Sequence, residues 1–212
     1  MRITCTDIGK KYQGQWIFSN INFDFIENSK TAITGFNGSG KSTLLSILSG
    51  YTTPTKGDIK HYINSKEIEK DELFNHLAIG SPYIEVPEEL SPAELIKTFA
   101  PFKPFIKGMQ ASEILDCLRL SNEAEKPIKY FSSGMKQRLK VGLAILADAP
   151  LLLLDEPLSN LDKEGLIWFD NLMKQYIIKK TVIIASNNIE DEIKFCDSII
   201  DISDFKKTSL IF

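Results

Sequence analysis

Four short, mostly apolar runs, Thr31 to Thr34, Leu151 to Asp155, Thr181 to Ala185 and Ser198 to Ile202, constrain the fold of this chain more than any other feature. Each has strand length and helical segments separate them, which is the pattern of a parallel sheet buried on both faces. Ile21-Asn22-Phe23-Asp24-Phe25-Ile26 instead alternates, as a half-buried strand does, and Gly57 to Ile63 reads as a further strand at an edge. These two predict an antiparallel flank beside the parallel core. From about Ser81 to Ala149 the character changes. Pro82, Pro87, Pro92, Pro101 and Pro104 punctuate segments whose apolar residues recur at helical spacing, as in Ala111 to Leu120. The expected organisation is one α/β domain, with a core from 1–80 and 150–212 and a helical subdomain over 81–149.

The first apolar run leads into Gly35-Phe36-Asn37-Gly38-Ser39-Gly40-Lys41-Ser42, and Ser42-Thr43-Leu44-Leu45 opens a plausible helix. Gly35, Gly38 and Gly40 permit close backbone approach, so successive N–H groups can surround phosphate oxygens, and Lys41 adds a mobile positive charge. The positive end of the following helix favours the same anion. Asn37, Ser39 and Thr43 complete the loop, and Ser42 is placed to ligate Mg²⁺. A glycine-rich turn without ligand is the bland reading, which the strand before and the helix after disfavour.

The second run ends in Asp155-Glu156-Pro157, and its first carboxylate suits Mg²⁺ or its water. Shortly before it stands Phe131-Ser132-Ser133-Gly134-Met135-Lys136-Gln137-Arg138. As a plain helix start, Ser132 or Ser133 would cap Met135 to Leu146. The order of the three elements, however, resembles that of ABC (ATP-binding cassette) ATPases over nearly the whole chain.

That resemblance implies ATP hydrolysis with ATP and Mg²⁺. Glu156 takes the place of the general base, or of the residue that positions the attacking water, and Asp155 joins Ser42 at the metal. Ser132, Ser133, Gly134 and Met135 stand where the family has a signature that binds the γ-phosphate of an opposite subunit, with Ser133 and Met135 replacing the usual Gly and Gln. Lys136, Gln137 and Arg138 extend the likeness, or form a solvated face. Ser159, Asn160, Leu161 and Asp162 resemble the D-loop between nucleotide sites, and Tyr12 falls where an aromatic ring stacks on adenine. Two cassettes would sandwich two ATP molecules, and a separate integral membrane permease would be the partner. The size is similar to small exporter cassettes, including those of cytochrome c maturation. Alternatives are a soluble ABC ATPase acting on a ribosome or DNA, and a slowly hydrolysing regulatory cassette.

The chain departs from the family twice. Asn187 follows Ser186 where the family has its switch His, and neither His61 nor His76 sits in that motif. Asn donates an amide hydrogen bond but cannot become cationic. Gly80-Ser81-Pro82-Tyr83-Ile84-Glu85 also lacks the Gln expected to contact Mg²⁺ or water, leaving Ser81, Tyr83 and Glu85 as candidates. Binding with slow hydrolysis is the expectation.

Composition excludes other classes. With 212 residues and a formal charge of −3 there is room for one cassette and no global basic field, so no nucleic-acid partner is expected. The richest apolar stretch, Val141 to Leu154, is broken by Asp148 and Pro150 and falls short of the roughly 20 residues a membrane span needs. Met1 to Asp7 carries no signal-like apolar core, so the expected location is the cytoplasmic face of a membrane. Cys5, Cys117 and Cys196 are too scattered for a metal cluster and read as reduced, small apolar residues. Phe99, Phe102 and Phe105 are read as helix packing, with a docking groove for the permease as the functional alternative.

Overall fold

The computed structural model describes residues 1–206, so positions 207–212 of the expected core lie outside the described residues. Two sheets meet at the glycine loop 35–40, which follows the parallel strand ending at Thr34 and touches Ile17 and Phe18 of the other sheet. The parallel sheet has the order β6-β7-β8-β3-β9, from β3 (Lys30–Thr34), β6 (Leu77–Gly80), β7 (Leu151–Asp155), β8 (Thr181–Ser186) and β9 (Ser198–Asp201). All its pairings are parallel. β7 and the middles of β3 and β8 are apolar because both faces are covered there, whereas the edge strand β9 exposes Ile199 and Asp201. Leu151, Leu153, Ile183 and Ala185 face α1 (Lys41–Leu48) and the second sheet, whereas Leu152, Leu154, Val182 and Ile184 face the helices of the other side. The side-chain period of two splits each run between two cores.

The second sheet is antiparallel, with the order β2-β1-β4-β5 from β1 (Arg2–Tyr12), β2 (Gln15–Phe25), β4 (Lys56–Ile63) and β5 (Lys66–Glu67). Two findings differ from the sequence reading. β4 lies inside, between β1 and β5, and not at the edge. The central strand, β1, carries no clear alternation because its register shifts between Cys5 and Ile8, and again around Lys10, with Asp7 at a φ of 53°. Each shift turns the following side chains to the opposite face and breaks the period of two.

Between β6 and β7 the regular elements are α2 (Pro92–Phe99), α3 (Ala111–Leu118) and α4 (Ser133–Leu146), joined by short 3-10 turns. Ser91 and Glu94 form a reciprocal capping box at α2, and Arg119 in the left-handed region ends α3 at Leu118, two residues before the predicted Leu120. Phe99, Phe102 and Phe105 do not form one cluster. Phe105 is buried and bridges to Ala147, Phe99 is half-buried, and Phe102 is exposed. Beyond β7, α5 (Lys163–Tyr176) packs on α4, and the short α6 (Glu190–Ile193) links β8 to β9. Among the described residues no helix is long and apolar enough to cross a membrane.

Candidate active site

The cleft at the end of β3 follows from the glycine loop. Gly35, Gly38 and Gly40 have φ of 144°, 74° and 110°, conformations that favour glycine, and they carry the chain around into α1. Around them lies an open cleft of about 350 Å³, bordered by Asn37, Lys41, Thr43, Glu156 and the β2 residue Ile17. Ser39 is buried with an unpartnered hydroxyl. Lys41 is nearly buried, and its Nζ donates to the carbonyl oxygens of Gly35 at 2.9 Å and Phe36 at 3.2 Å. Its third acceptor is Asn187 Oδ1 at 2.7 Å.

Asn187 is therefore part of the site. Its Nδ2 donates to Glu156 Oε1 at 2.9 Å, so one amide joins the lysine to the carboxylate. The orientation is dictated by charge, since oxygen must face the cation and N–H the anion. Glu156 itself stands at a φ of 43°, a strained value that its surroundings hold. Its N–H donates to Ala185 O at 2.9 Å, and Gln137 Nε2 reaches the carbonyls of Glu156 and Pro157 at 3.4 and 3.0 Å.

Asp155, beside Glu156, is the fitting place for a cation. Burial pushes its carboxyl above the usual range, against the Ser42 hydroxyl and the Lys41 charge, which favour ionisation, while the Glu156 charge adds to the rise. Its Oδ1 is buried without a hydrogen-bond partner. An orphaned carboxylate oxygen next to a serine hydroxyl matches the hard oxygen donors of Mg²⁺, which needs only one or two protein ligands.

Ser132 caps α4, its Oγ accepting from Met135 N at 3.2 Å, and Ser133 and Gly134 open that helix. The capping role does not exclude a ligand role for the same turn. Gly134 presses on the next loop: a Cβ there would lie 2.9 Å from Asn160 O. In that loop Ser159 N donates to Glu156 O, Asn160 has a φ of 63°, Leu161 N donates to Leu158 O, and Asp162 caps α5 by accepting from Gly165 N at 2.8 Å. The turn at 132–135 and the loop at 159–162 are thus in contact within one chain. Lys136, Gln137 and Arg138 are not a solvated face. Lys136 pairs with Glu88, Gln137 is buried, and Arg138 lies 5.7 Å from the Trp168 ring centroid.

Tyr12 ends β1, half-exposed, with Lys10 Nζ 4.9 Å from its ring centroid. Of the three candidates for the missing Gln, Tyr83 borders the phosphate cleft, Ser81 borders the adjoining hollow with Ser42 and Asp155, and Glu85 lines a separate apolar groove with Phe99. Lys140 of α4 fixes this segment by donating to the Pro82 and Ile84 carbonyls. Gln137 and Lys140 were within reach of sequence reasoning only as members of the α4 segment. Nothing local shows which backbone carbonyls they hold.

Residues 18–159 match the family model described as ABC transporter. The uncharacterized ABC transporter ATP-binding protein YybJ of Bacillus subtilis is 31% identical over 205 residues, covering 95% of this chain and 92% of that protein. YcbN of the same organism, also named an uncharacterized ABC transporter ATP-binding protein, is 31% identical over 194 residues; these are 90% of this chain but only 62% of that longer protein. A solved dimeric ATP-binding cassette, in a post-hydrolysis state bound to ADP and Pi, superposes with a TM-score of 0.78 over 94% of this chain and 93% of its own, at 24% identity, which speaks for the fold. With this coverage and identity the chain belongs to the ABC transporter family, as an ATP-binding cassette.

Proposed function

We propose that the chain hydrolyses ATP as the nucleotide-binding subunit of a transporter, and that it does so slowly. The observation that carries this reading is the Lys41–Asn187–Glu156 bridge at the mouth of the phosphate cleft. In it the loop N–H groups and Lys41 hold the β- and γ-phosphates and Tyr12 takes the adenine; Ser42 and Asp155 would hold Mg²⁺, which would supply neutralising charge for those phosphates. Glu156 orients a water and takes its proton as the water oxygen bonds to the γ-phosphorus and the bond to the ADP oxygen breaks. Lys41 exchanges the Asn187 Oδ1 for a phosphate oxygen, while Asn187 donates its second Nδ2 N–H to the γ-phosphate. It can supply a hydrogen bond there but no positive charge, and charge-assisted bonds are the stronger ones.

A second cassette would supply Ser132 to Met135 across the dimer, facing Gly35 to Thr43, with Ser159 to Asp162 between the two sites. The core would be 1–80 and 150–212, and the helical subdomain 81–149. The apolar groove of about 270 Å³ between β6, α2 and α4, walled by Ile84, Leu95, Phe99 and Phe105, suits a helix of a separate membrane permease on the cytoplasmic face. Transport is favoured over action on a soluble partner by the ABC transporter relatives.

The test is phosphate release by the purified chain, compared with Glu156→Ala and Asn187→His. The expected result is slow wild-type turnover, none for Glu156→Ala, and a rise of about tenfold for Asn187→His. Fast wild-type turnover, unaffected by Asn187→His, would refute the impaired switch.

A further inference from the structure

The carboxylate of Glu192 is fully buried, and no step above uses it. It sits on α6 and accepts two hydrogen bonds, one from the loop after β7 and one from the end of β8. Oε1 accepts from the backbone N–H of Leu158 at 3.1 Å, and Oε2 accepts from the Ser186 hydroxyl. Ser186 also accepts from Ile189 N at 3.1 Å, which fixes the turn into α6. Among the described residues Glu192 has no ion-pair partner, and its charged neighbours, Asp155 and Glu156, are of its own sign. Burying a carboxylate in such a place is costly, and an apolar side chain would fill the space without that cost.

Its two contacts name the segments it joins. Ser186 immediately precedes Asn187, and Leu158 follows Glu156 across Pro157. The same two segments meet at the mouth of the cleft through Asn187 Nδ2 and Glu156 Oε1, and in the sheet through Glu156 N and Ala185 O. Glu192 closes the third side, behind the site. A carboxylate is rigid and planar, so accepting from both segments fixes their separation.

We propose that Glu192 is a positioning residue for ATP hydrolysis, a strut that holds the Asn187 loop and the Glu156 turn at their working separation. The inference rests on the hydrolase reading above. It also gives movement of Asn187 a direct route to Leu158, at the start of the segment that presses on the α4 turn. Glu192 touches neither nucleotide nor water, so its loss should act on turnover and leave nucleotide affinity in place.

The experiment measures phosphate release in a single turnover and the affinity for a fluorescent ATP analogue, using the purified full chain and its Glu192→Ala, Glu192→Gln and Ser186→Ala variants. Glu192→Ala and Ser186→Ala, which cut opposite ends of the strut, should each slow phosphate release by about 10- to 100-fold, because catalysis is that sensitive to small misplacements. Affinity should stay within about 2-fold, the signature of an interaction that matters only at the reaction step. Glu192→Gln keeps an acceptor for Leu158 N–H and a donor for Ser186 Oγ, and should recover most of the rate. Unchanged turnover in Ser186→Ala and in folded Glu192→Ala would overturn the proposal. So would a parallel loss of rate, affinity and melting temperature that Glu192→Gln does not repair, since that is a fold defect. Wild-type protein that binds no analogue, or whose rate survives Glu156→Ala, would instead overturn the hydrolase reading beneath it.

Discussion

Lys180 gives the most quantitative handle on the link between the helical segment and β8. It precedes β8, is only 6% exposed, and donates its amine hydrogens to the carbonyls of Ile145 and Ala147 at the C-terminal end of α4. Burial pulls its amine down from 10.5 to about 8, and the charge of Asp148 opposes the fall only in part. Below pH 8 both folded and unfolded chains carry the proton, and the folded state bears the full cost of the buried cation, about 3 kcal/mol at roughly 1.36 kcal/mol per pH unit. Between about 8 and 10.5 the folded amine is neutral while the unfolded one remains protonated. The unfolded state then binds more protons, so stability rises with pH and the cost is gone above 10.5. Integrated from pH 7 to pH 9, this one group should add about 1.3 kcal/mol to the unfolding free energy. Urea denaturation of wild type and Lys180→Met at the two pH values isolates it, because every other titrating group cancels in the double difference. If the two proteins change in parallel, within about 0.3 kcal/mol, the amine is not titrating in this window and the burial argument fails.

Two further perturbations address the site. Gly134→Ala would push a Cβ against Asn160 O, 2.9 Å away, and force two backbones apart. Its cost of about 1–3 kcal/mol is offset by about 1 kcal/mol of helix propensity, so the net loss is at most about 2 kcal/mol and the melting temperature should fall by no more than about 8 °C. ATP-dependent dimerisation of the Glu156→Gln protein, followed by light scattering, should be lost. Asp155→Asn removes the carboxylate whose Oδ1 lacks a partner beside Ser42, and should abolish the Mg²⁺-dependent part of ATP affinity, about tenfold or more, while metal-free ATP binding persists. Equal metal dependence by titration calorimetry would remove Asp155 from the metal site.

The fold was legible where one residue type serves one cause. Leu151 to Leu154 must be apolar because both faces of β7 are covered, and the glycines of the phosphate loop are required by positive φ, so both are visible in a single sequence. β1 was hidden because its bulges cancel the alternation that would reveal it. The roles of the α4 side chains stayed open for a different reason. Charged and amide side chains such as Lys136, Gln137 and Lys140 look solvated in sequence, yet their partners are Glu88 and backbone carbonyls far along the chain. Long-range pairing to backbone leaves no trace in local composition.

Asn187 shows how such a partner changes the meaning of a residue. Read against the family pattern it is a lost histidine. In place it accepts from Lys41 and donates to Glu156 at once, with no proton to gain. An imidazolium at the same position would set a second cation against Lys41 Nζ, where the amide offers an oxygen at 2.7 Å. The cleft is therefore spanned by a neutral amide bridge, and on the proposed function a γ-phosphate would compete with Asn187 for the same lysine. Slow turnover would then follow from that competition. A variant that raises the hydrolysis rate through Asn187→His should also loosen the resting contact between Glu156 and the lysine, and the stability of the nucleotide-free chain should fall as its turnover rises.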